Sequence, residues 1–504
     1  MNDRIVGFIK YHPVRTQRGL EVLSGVIPWM IIFFPLVGSF FVPESVAYFI
    51  LAFNIYWLYR SLQLAINATA GYLNIRATEK IDWLEKLRTD LKTKGKFKKI
   101  IHVVIIPNVK EPVATLERNI KSLLSQNFPL KNIIVVLAME ERARDVDLEK
   151  SQKIKRKFAK YFGRIIITWH PLVAGETIGK HSNNAYAAKQ VKKLLLEKEG
   201  RDIEKITVTT CDVDTVFHRQ YFSLLTYKFL TVANSFSRFF QAPIFMYNNL
   251  GKIPLLVRAP SIIGGIYYLS LLNKPSGRFM NFSAYSASLH LLNRVGFWDV
   301  DMIPEDWHIN LKSYFATGGK ISIAPMFLPV YIDAAESTTK WKTYKNNYEQ
   351  RKRWAWGIVD IPYVVKNFFT HPEISFWDKL VKISFIFESH FTWSTSWFLI
   401  TLGATVPTIL NPAFSRTTLG YNLSRASGLI LTICAVGLVA ITFIDILLDP
   451  QKKNKFRTFL HPLTYLQWLF LPVFGFLFGA LPGLESQTRL MLGKYIDYRV
   501  TEKV

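Results

Sequence analysis

The chain has 504 residues, half of them apolar and 14% aromatic, and its 63 lysines and arginines outnumber its 37 aspartates and glutamates by 26. That length accommodates one large soluble domain together with several membrane spans. The basic excess is dispersed with no nucleic-acid-binding motif beside it, so no nucleic-acid partner is expected, and two cysteines, Cys211 and Cys434, exclude a disulfide framework and a cysteine metal site.

The first 74 residues hold two apolar segments, 20–41 and 45–59, the second continuing to Ile66 around Arg60. Each approaches the ~20 residues that cross ~30 Å of hydrocarbon. The first has no small-residue cleavage site after it and is followed at once by the second, so both are expected to be permanent anchors. Residues 389–410, 426–448 and 463–482 read the same way, which predicts about three spans in 376–504. Basic residues cluster before the first span (Arg4, Lys10, Arg15, Arg18) and in 85–99 and 452–457. By the positive-inside rule they face the cytoplasm, which places the domain at 75–375 in the cytosol of a multi-pass protein of the cell membrane, with a face attracted to anionic membrane lipids. Three C-terminal spans would put the tail residues Arg489, Lys494, Arg499 and Lys503 on the other side, against the same rule.

Between the apolar blocks the hydrophobic period changes. Strands are predicted at 100–107, 132–138, 164–170 and 205–210, alternating with helices that begin at Pro112, Arg142 and His181. This alternation implies an α/β fold with a parallel sheet covered on both faces, in which ligands bind beyond the carboxyl ends of the strands. Residues 251–272 are apolar but broken by Pro254, Arg258, Pro260 and Gly264-Gly265, which suits an interfacial helix or lipid-facing loop, with buried core as the alternative.

Three motifs carry chemistry. Asp212-Val213-Asp214 follows the fourth predicted strand, and two carboxylates one residue apart can share a Mg2+ or Mn2+ ion that also binds phosphate oxygens. Glu305-Asp306 follows Pro304, where a carboxylate suits either a helix N-terminus or a general base. In Gln350-Arg351-Lys352-Arg353-Trp354, helical spacing puts Gln350, Arg353 and Trp354 on one face, arginine offering a planar fork for phosphate and tryptophan a flat surface for a sugar ring. A basic amphipathic helix at the membrane surface explains the same residues.

In their order and with the flanking spans, these motifs resemble the membrane-integrated family 2 glycosyltransferases, the group of cellulose, hyaluronan and poly-N-acetylglucosamine synthases. The resemblance extends to Ile106-Pro107-Asn108-Val109-Lys110-Glu111 and to Gly179-Lys180. It implies a GT-A-type, Rossmann-like nucleotide-sugar domain and an inverting mechanism. By position it implies that Asp212 and Asp214 hold the metal-diphosphate, that Asp306 is the base, that Lys180, Gln350 and Arg353 lie by the diphosphate, that Glu305 lines the substrate and that Trp354 borders the acceptor. The family's aspartate pair after the second strand is replaced by Glu140-Glu141, which leaves Glu140 or Glu141 to contact the nucleotide base and the identity of that base open.

The expected activity is transfer of a sugar from a nucleotide-sugar donor to a growing polysaccharide at the cytoplasmic membrane face, with export of the product through the C-terminal spans. Transfer to a lipid-linked acceptor is the alternative within the class. From another class, a transporter with a nucleotide-sensing domain requires ionisable groups inside the spans, for which Glu388, His390 and Asp445 are the candidates.

Overall fold

The computed structural model describes residues 2–274, 279–452, 454–499 and 501–502, so that Lys453 and Lys503 lie outside the described residues. Two long helices, α1 (Pro13–Phe41) and α2 (Pro43–Glu79), lead into the sheet domain. There β1 (Ile101–Asn108), α3 (Val113–Leu124), β2 (Ile133–Glu140), α4 (Arg144–Phe158), β3 (Arg164–His170), α5 (Lys180–Lys192) and β4 (Ile206–Thr210) follow the expected alternation. The four strands pair in parallel in the order β3-β2-β1-β4. Side chains alternate between the faces of β1, as strand geometry requires. Val103 and Ile105 pack with Ala185, Ala188 and Val191 of α5, whereas Val104 and Ile106 join the core that holds Leu116 and Ile120 of α3.

The rest of the sheet is mixed. After β5 (Val216–Phe217) and α6 (Tyr221–Thr231) come β6 (Arg238–Gln241), β7 (Ile244–Phe245), α7 (Leu255–Leu271), β8 (Tyr285–Ser288), α8 (Glu305–Ala316), β9 (Ser322–Pro325) and β10 (Val330–Tyr331). Strand β8 runs antiparallel to both β4 and β6, and β9 is parallel to β6, completing the order β3-β2-β1-β4-β8-β6-β9. A small second sheet has the order β5-β10-β7. These strands are two to four residues long, too short to display a period. Residues 251–272 prove to be mainly helix, and much of α7 is covered by protein. Leu269 of α7 sits where a Cβ on Gly71 of α2 would stand, 2.6 Å away, and Phe245 of β7 lies 2.9 Å from a Cβ placed on Gly265.

After α8 the chain continues as α9 (Lys340–Ala355), a turn over Trp356–Val359, α10 (Asp360–Thr370), α11 (Phe376–Leu402), α12 (Thr418–Leu448) and α13 (Gln467–Met491). Helices α1, α2, α12 and α13 are long and apolar enough to cross a membrane. The segment predicted as a span at 389–410 begins inside α11, which runs unbroken to Leu402 and carries Ser389, His390, Thr392 and Ser394-Thr395-Ser396. Helix α13 packs against both α12 and α9. Trp468 Nε1 donates to Thr442 Oγ1 near the end of α12 (2.7 Å), Phe478 stacks with Tyr344 of α9, and Ser486 donates to the Lys352 carbonyl (2.7 Å). The tail beyond α13 returns to α9, where Asn346 Nδ2 donates to the Glu502 carbonyl (2.7 Å).

Close packing of α1 on α13 depends on Gly25. A Cβ there would stand 2.4 Å from Met491 Cβ and 2.5 Å from the Gln487 carbonyl oxygen, which cannot move without the helix. Gly25→Val is expected to destabilise the protein by about 1–3 kcal/mol, the usual cost of overpacking. Thermal unfolding of the detergent-solubilised variant measures this, and an unchanged midpoint would contradict the packing.

Candidate active site

The site forms at the carboxyl end of β4, where the parallel sheet opens. Asp212 lies two residues past the strand and Lys180 is the first residue of α5. Glu305 and Asp306 occupy the first turn of α8. The Lys180 ammonium lies 3.0 Å from Asp212 Oδ1, 3.1 Å from Glu305 Oε1 and 3.9 Å from Asp306 Oδ1. Four of the sequence-predicted residues, from three separate stretches of chain, thus share one cluster.

Ser283, which nothing in the sequence singled out, joins its two halves. Its backbone N–H donates to Asp306 Oδ2 (2.8 Å) and its hydroxyl to Asp212 Oδ2 (2.7 Å). To do both it adopts φ +44°, an uncommon conformation for a side-chain-bearing residue and one that concentrates at functional sites. The N-cap of α8 is Pro304 with no side-chain cap, and the Asp306 carboxylate is turned to Ser283 and Lys180 instead.

The charges in the cluster are strongly interdependent. Burial raises the Asp306 pKa well above the usual carboxylate range, the Glu305 charge adds to that, and Lys180 opposes both. Burial works against the Lys180 charge as well, but Asp212, Asp306 and Glu305 outweigh it and hold the ammonium protonated.

The two aspartates of the pair differ in setting. Asp212 is 30% exposed at its side chain. Asp214 is fully buried, its Oδ2 accepting from the Asp333 N–H (2.8 Å). The backbone between them is pinned from both sides, Asn119 Nδ2 donating to the Asp212 carbonyl and Asn248 Nδ2 to the Asp214 carbonyl, both at 3.0 Å. Two carboxylates of this kind suit a hard divalent cation bound partly by substrate phosphate oxygens. Among the described residues no group of three or more His, Cys, Asp or Glu side chains is arranged to hold a metal by itself.

Of the two candidates after β2, Glu140 is the residue at the strand end, buried, with its carboxylate held by Arg142 Nε at 2.5 Å. Glu141 lies on the surface against Arg144. On α9, Gln350 is buried, and Trp354 is partly buried under the Arg351 guanidinium at 5.7 Å. Arg353 reaches the tail, its guanidinium 5.1 Å from the Tyr498 ring and Nη2 3.3 Å from Thr501 Oγ1.

That tail is a second feature the sequence did not expose. Tyr498 packs edge-on to His181 and lies against Gly179, whose φ of +154° and lack of a Cβ admit the ring at 2.9 Å from where a Cβ would stand. The Asn346 side chain exchanges hydrogen bonds with the Glu502 backbone, and Ser337 donates to the Glu502 carboxylate. The tail thus joins α9 to the Lys180 loop. Its residues carry no motif, and only the folding of the chain beyond α13 brings them here.

Two of the ionisable groups singled out in the apolar helices, Glu388 and Asp445, are paired. Glu388 meets Arg60 and Tyr56, and Asp445 meets Lys452 at 2.5 Å. His390 is buried against Trp307.

A seven-stranded mixed sheet with an acidic pair at the end of its central strand, followed by a second carboxylate pair on a helix, defines a GT-A-like α/β domain between Ile101 and Tyr331, flanked by long apolar helices. The sequence model of glycosyl transferase family group 2 matches residues 207–479, more than half of the chain, and the protein belongs to that family of enzymes that transfer glycosyl groups from nucleotide sugars. No curated protein matches the chain. Among solved structures it is similar to the mannosyltransferase PcManGT from Pyrobaculum calidifontis in complex with GDP-Man and Mn2+, at 13% identity, TM-score 0.44, and coverage of 80% of this chain and 100% of that one. S. aureus TarS 1–349 in complex with UDP-GlcNAc is similar at 13% identity, TM-score 0.34, and coverage of 79% and 93%. GalNAc-T7 with UDP, GalNAc and Mn2+ is similar at 12% identity, TM-score 0.34, and 58% of each chain.

Proposed function

We propose that the protein is an inverting, divalent-metal-dependent glycosyltransferase that extends a polysaccharide at the cytoplasmic face of the cell membrane, with residues 75–375 as its cytosolic catalytic unit between two N-terminal and several C-terminal membrane helices. The observation that carries this is the joining of Asp212 and Asp306 through Ser283 and Lys180, which sets a diphosphate-side carboxylate beside a candidate base.

Asp212, with Asp214 behind it, would hold Mg2+ or Mn2+, which as a Lewis acid stabilises the charge of a leaving nucleoside diphosphate. Asp306 takes the proton of the acceptor hydroxyl. The acceptor oxygen bonds to the anomeric carbon from the face opposite the diphosphate as the bond from that carbon to the diphosphate oxygen breaks, which inverts the configuration. Lys180 and Glu305 set the charge around Asp306. Gln350 and Arg353 bind diphosphate oxygens, Trp354 borders the acceptor, and Glu140 faces the nucleotide base. GDP-mannose and UDP-GlcNAc, the donors named with PcManGT and TarS, head the panel to be tried.

The test is release of nucleoside diphosphate by the purified protein from a panel of nucleotide sugars with Mn2+ or Mg2+, with the anomeric configuration of the product read by NMR. Long glycan products support polysaccharide extension, a single sugar on an extractable lipid supports the lipid-linked alternative, and a retained configuration overturns the mechanism.

The motif helix supplies a further expectation. Arg353→Lys keeps the charge but loses the planar fork that meets phosphate oxygens and faces Tyr498. It should weaken binding of the nucleoside diphosphate about tenfold or more by calorimetry, on the order of one lost bond to a charged group. Unchanged binding would leave α9 as a membrane-surface helix.

A further inference from the structure

We propose that His308 is a positioning residue, a doubly protonated clamp that fixes the helix of Asp306 against the helix segment continuing from Gln350–Trp354. This rests on the assignment of Asp306 as base, and His308 acts only through that residue's placement.

His308 lies two residues after Asp306 on α8 and is buried, 3% exposed. Its Nδ1 is 2.6 Å from Asp360 Oδ1 and its Nε2 is 2.9 Å from Asp299 Oδ2. An ionised carboxylate only accepts hydrogen bonds, so with Asp299 and Asp360 both ionised each ring nitrogen donates, and a ring with two N–H groups is an imidazolium; burial raises the Asp360 pKa, and the His308 charge and hydrogen bond oppose that rise. Asp299 belongs to the loop before α8, and its other oxygen is held by Lys312 at 2.5 Å. Asp360 is fully buried and opens α10, which only the turn Trp356–Val359 separates from α9. One planar ring therefore spans from the helix bearing Glu305 and Asp306 to the helix that follows the Arg353 motif.

Two positive and two negative groups balance within the clamp, namely His308, Lys312, Asp299 and Asp360. Tyr363 of α10 faces the ring edge-on at 4.6 Å, while Glu305 and Asp306 on the same helix are engaged with Lys180. Burial alone would make the ring neutral, but Asp360 and Asp299 outweigh it and push its pKa up to about 9. The clamp is thus complete at neutral pH and is lost as pH rises through that value. Its contribution to stability is fully present below the ordinary histidine pKa of about 6.5 and disappears through about 9. A neutral ring would turn a lone pair toward one of the two carboxylates and release that side.

Asp360→Asn keeps an acceptor oxygen for Nδ1–H but removes one charge, so it tests the charged clamp without removing its shape. In the purified full-length protein its turnover at pH 7 should stay within about threefold of the parent, while the alkaline limb of kcat moves down by about one pH unit or more. His308→Gln should lower kcat about tenfold or more, leave the donor KM within about threefold, and abolish that limb. An unshifted limb in Asp360→Asn, or a loss confined to KM in His308→Gln, overturns the proposal. If Asp306→Asn turns over normally, the base assignment fails separately. The clamp is then judged from the thermal midpoint between pH 7 and 10, which should fall through about 9 in the parent and earlier in Asp360→Asn. Coincident curves would reject it.

Discussion

Asp306→Asn is expected to cut turnover by roughly 10²–10⁴-fold, the usual contribution of a general base, while nucleoside diphosphate still binds with near-normal affinity. Asparagine caps helices about as well as aspartate, and the Asp306 side chain does not cap α8 in any case. A silent substitution would therefore remove the base assignment and not merely weaken it. The pH profile offers a second check. A base must be deprotonated to act, and burial and the Glu305 charge raise the Asp306 pKa. The acid limb of kcat/KM is accordingly expected above the ordinary carboxylate range. Lys180 opposes that rise, so Lys180→Met should move the limb to still higher pH. A limb that moves the opposite way in Lys180→Met would contradict the charge arrangement.

Asp212→Asn is expected to abolish transfer at all practical Mn2+ concentrations while the protein remains folded and membrane-inserted. Asparagine keeps an oxygen to accept from the Ser283 hydroxyl but loses the charge that attracts both the cation and Lys180. The check is turnover of parent and variant across a Mn2+ titration, with chelator as the zero point. Full activity of the parent in chelator would exclude the metal, and full activity of Asp212→Asn would exclude this residue as its ligand. Asp214→Asn should be as severe in turnover but should also lower the thermal midpoint, since Asp214 is fully buried and accepts from the Asp333 backbone.

The four parallel strands, the helices between them and the long apolar helices at either end were legible in the residues because each is a long run with one period. β1 reads as a buried strand from IIHVVIIP, and α1, α2 and α12 read as candidate spans from length and apolarity. The acidic pair, the Glu-Asp pair and the Gln-Arg-Trp helix stood out as candidates from residue type and local spacing. Strands β5 to β10 were not, since two to four residues carry no period and their partners lie far along the chain. Ser283 was invisible for the same reason: its role comes from a backbone angle and from two carboxylates 71 and 23 residues away. The tail was judged from the number of spans and its charges, which cannot show that Tyr498 packs against Gly179. Local pattern establishes which elements form and which groups are candidates for chemistry. Which of those groups share a site depends on contacts between distant segments, where packing and electrostatics outweigh any preference written in neighbouring residues.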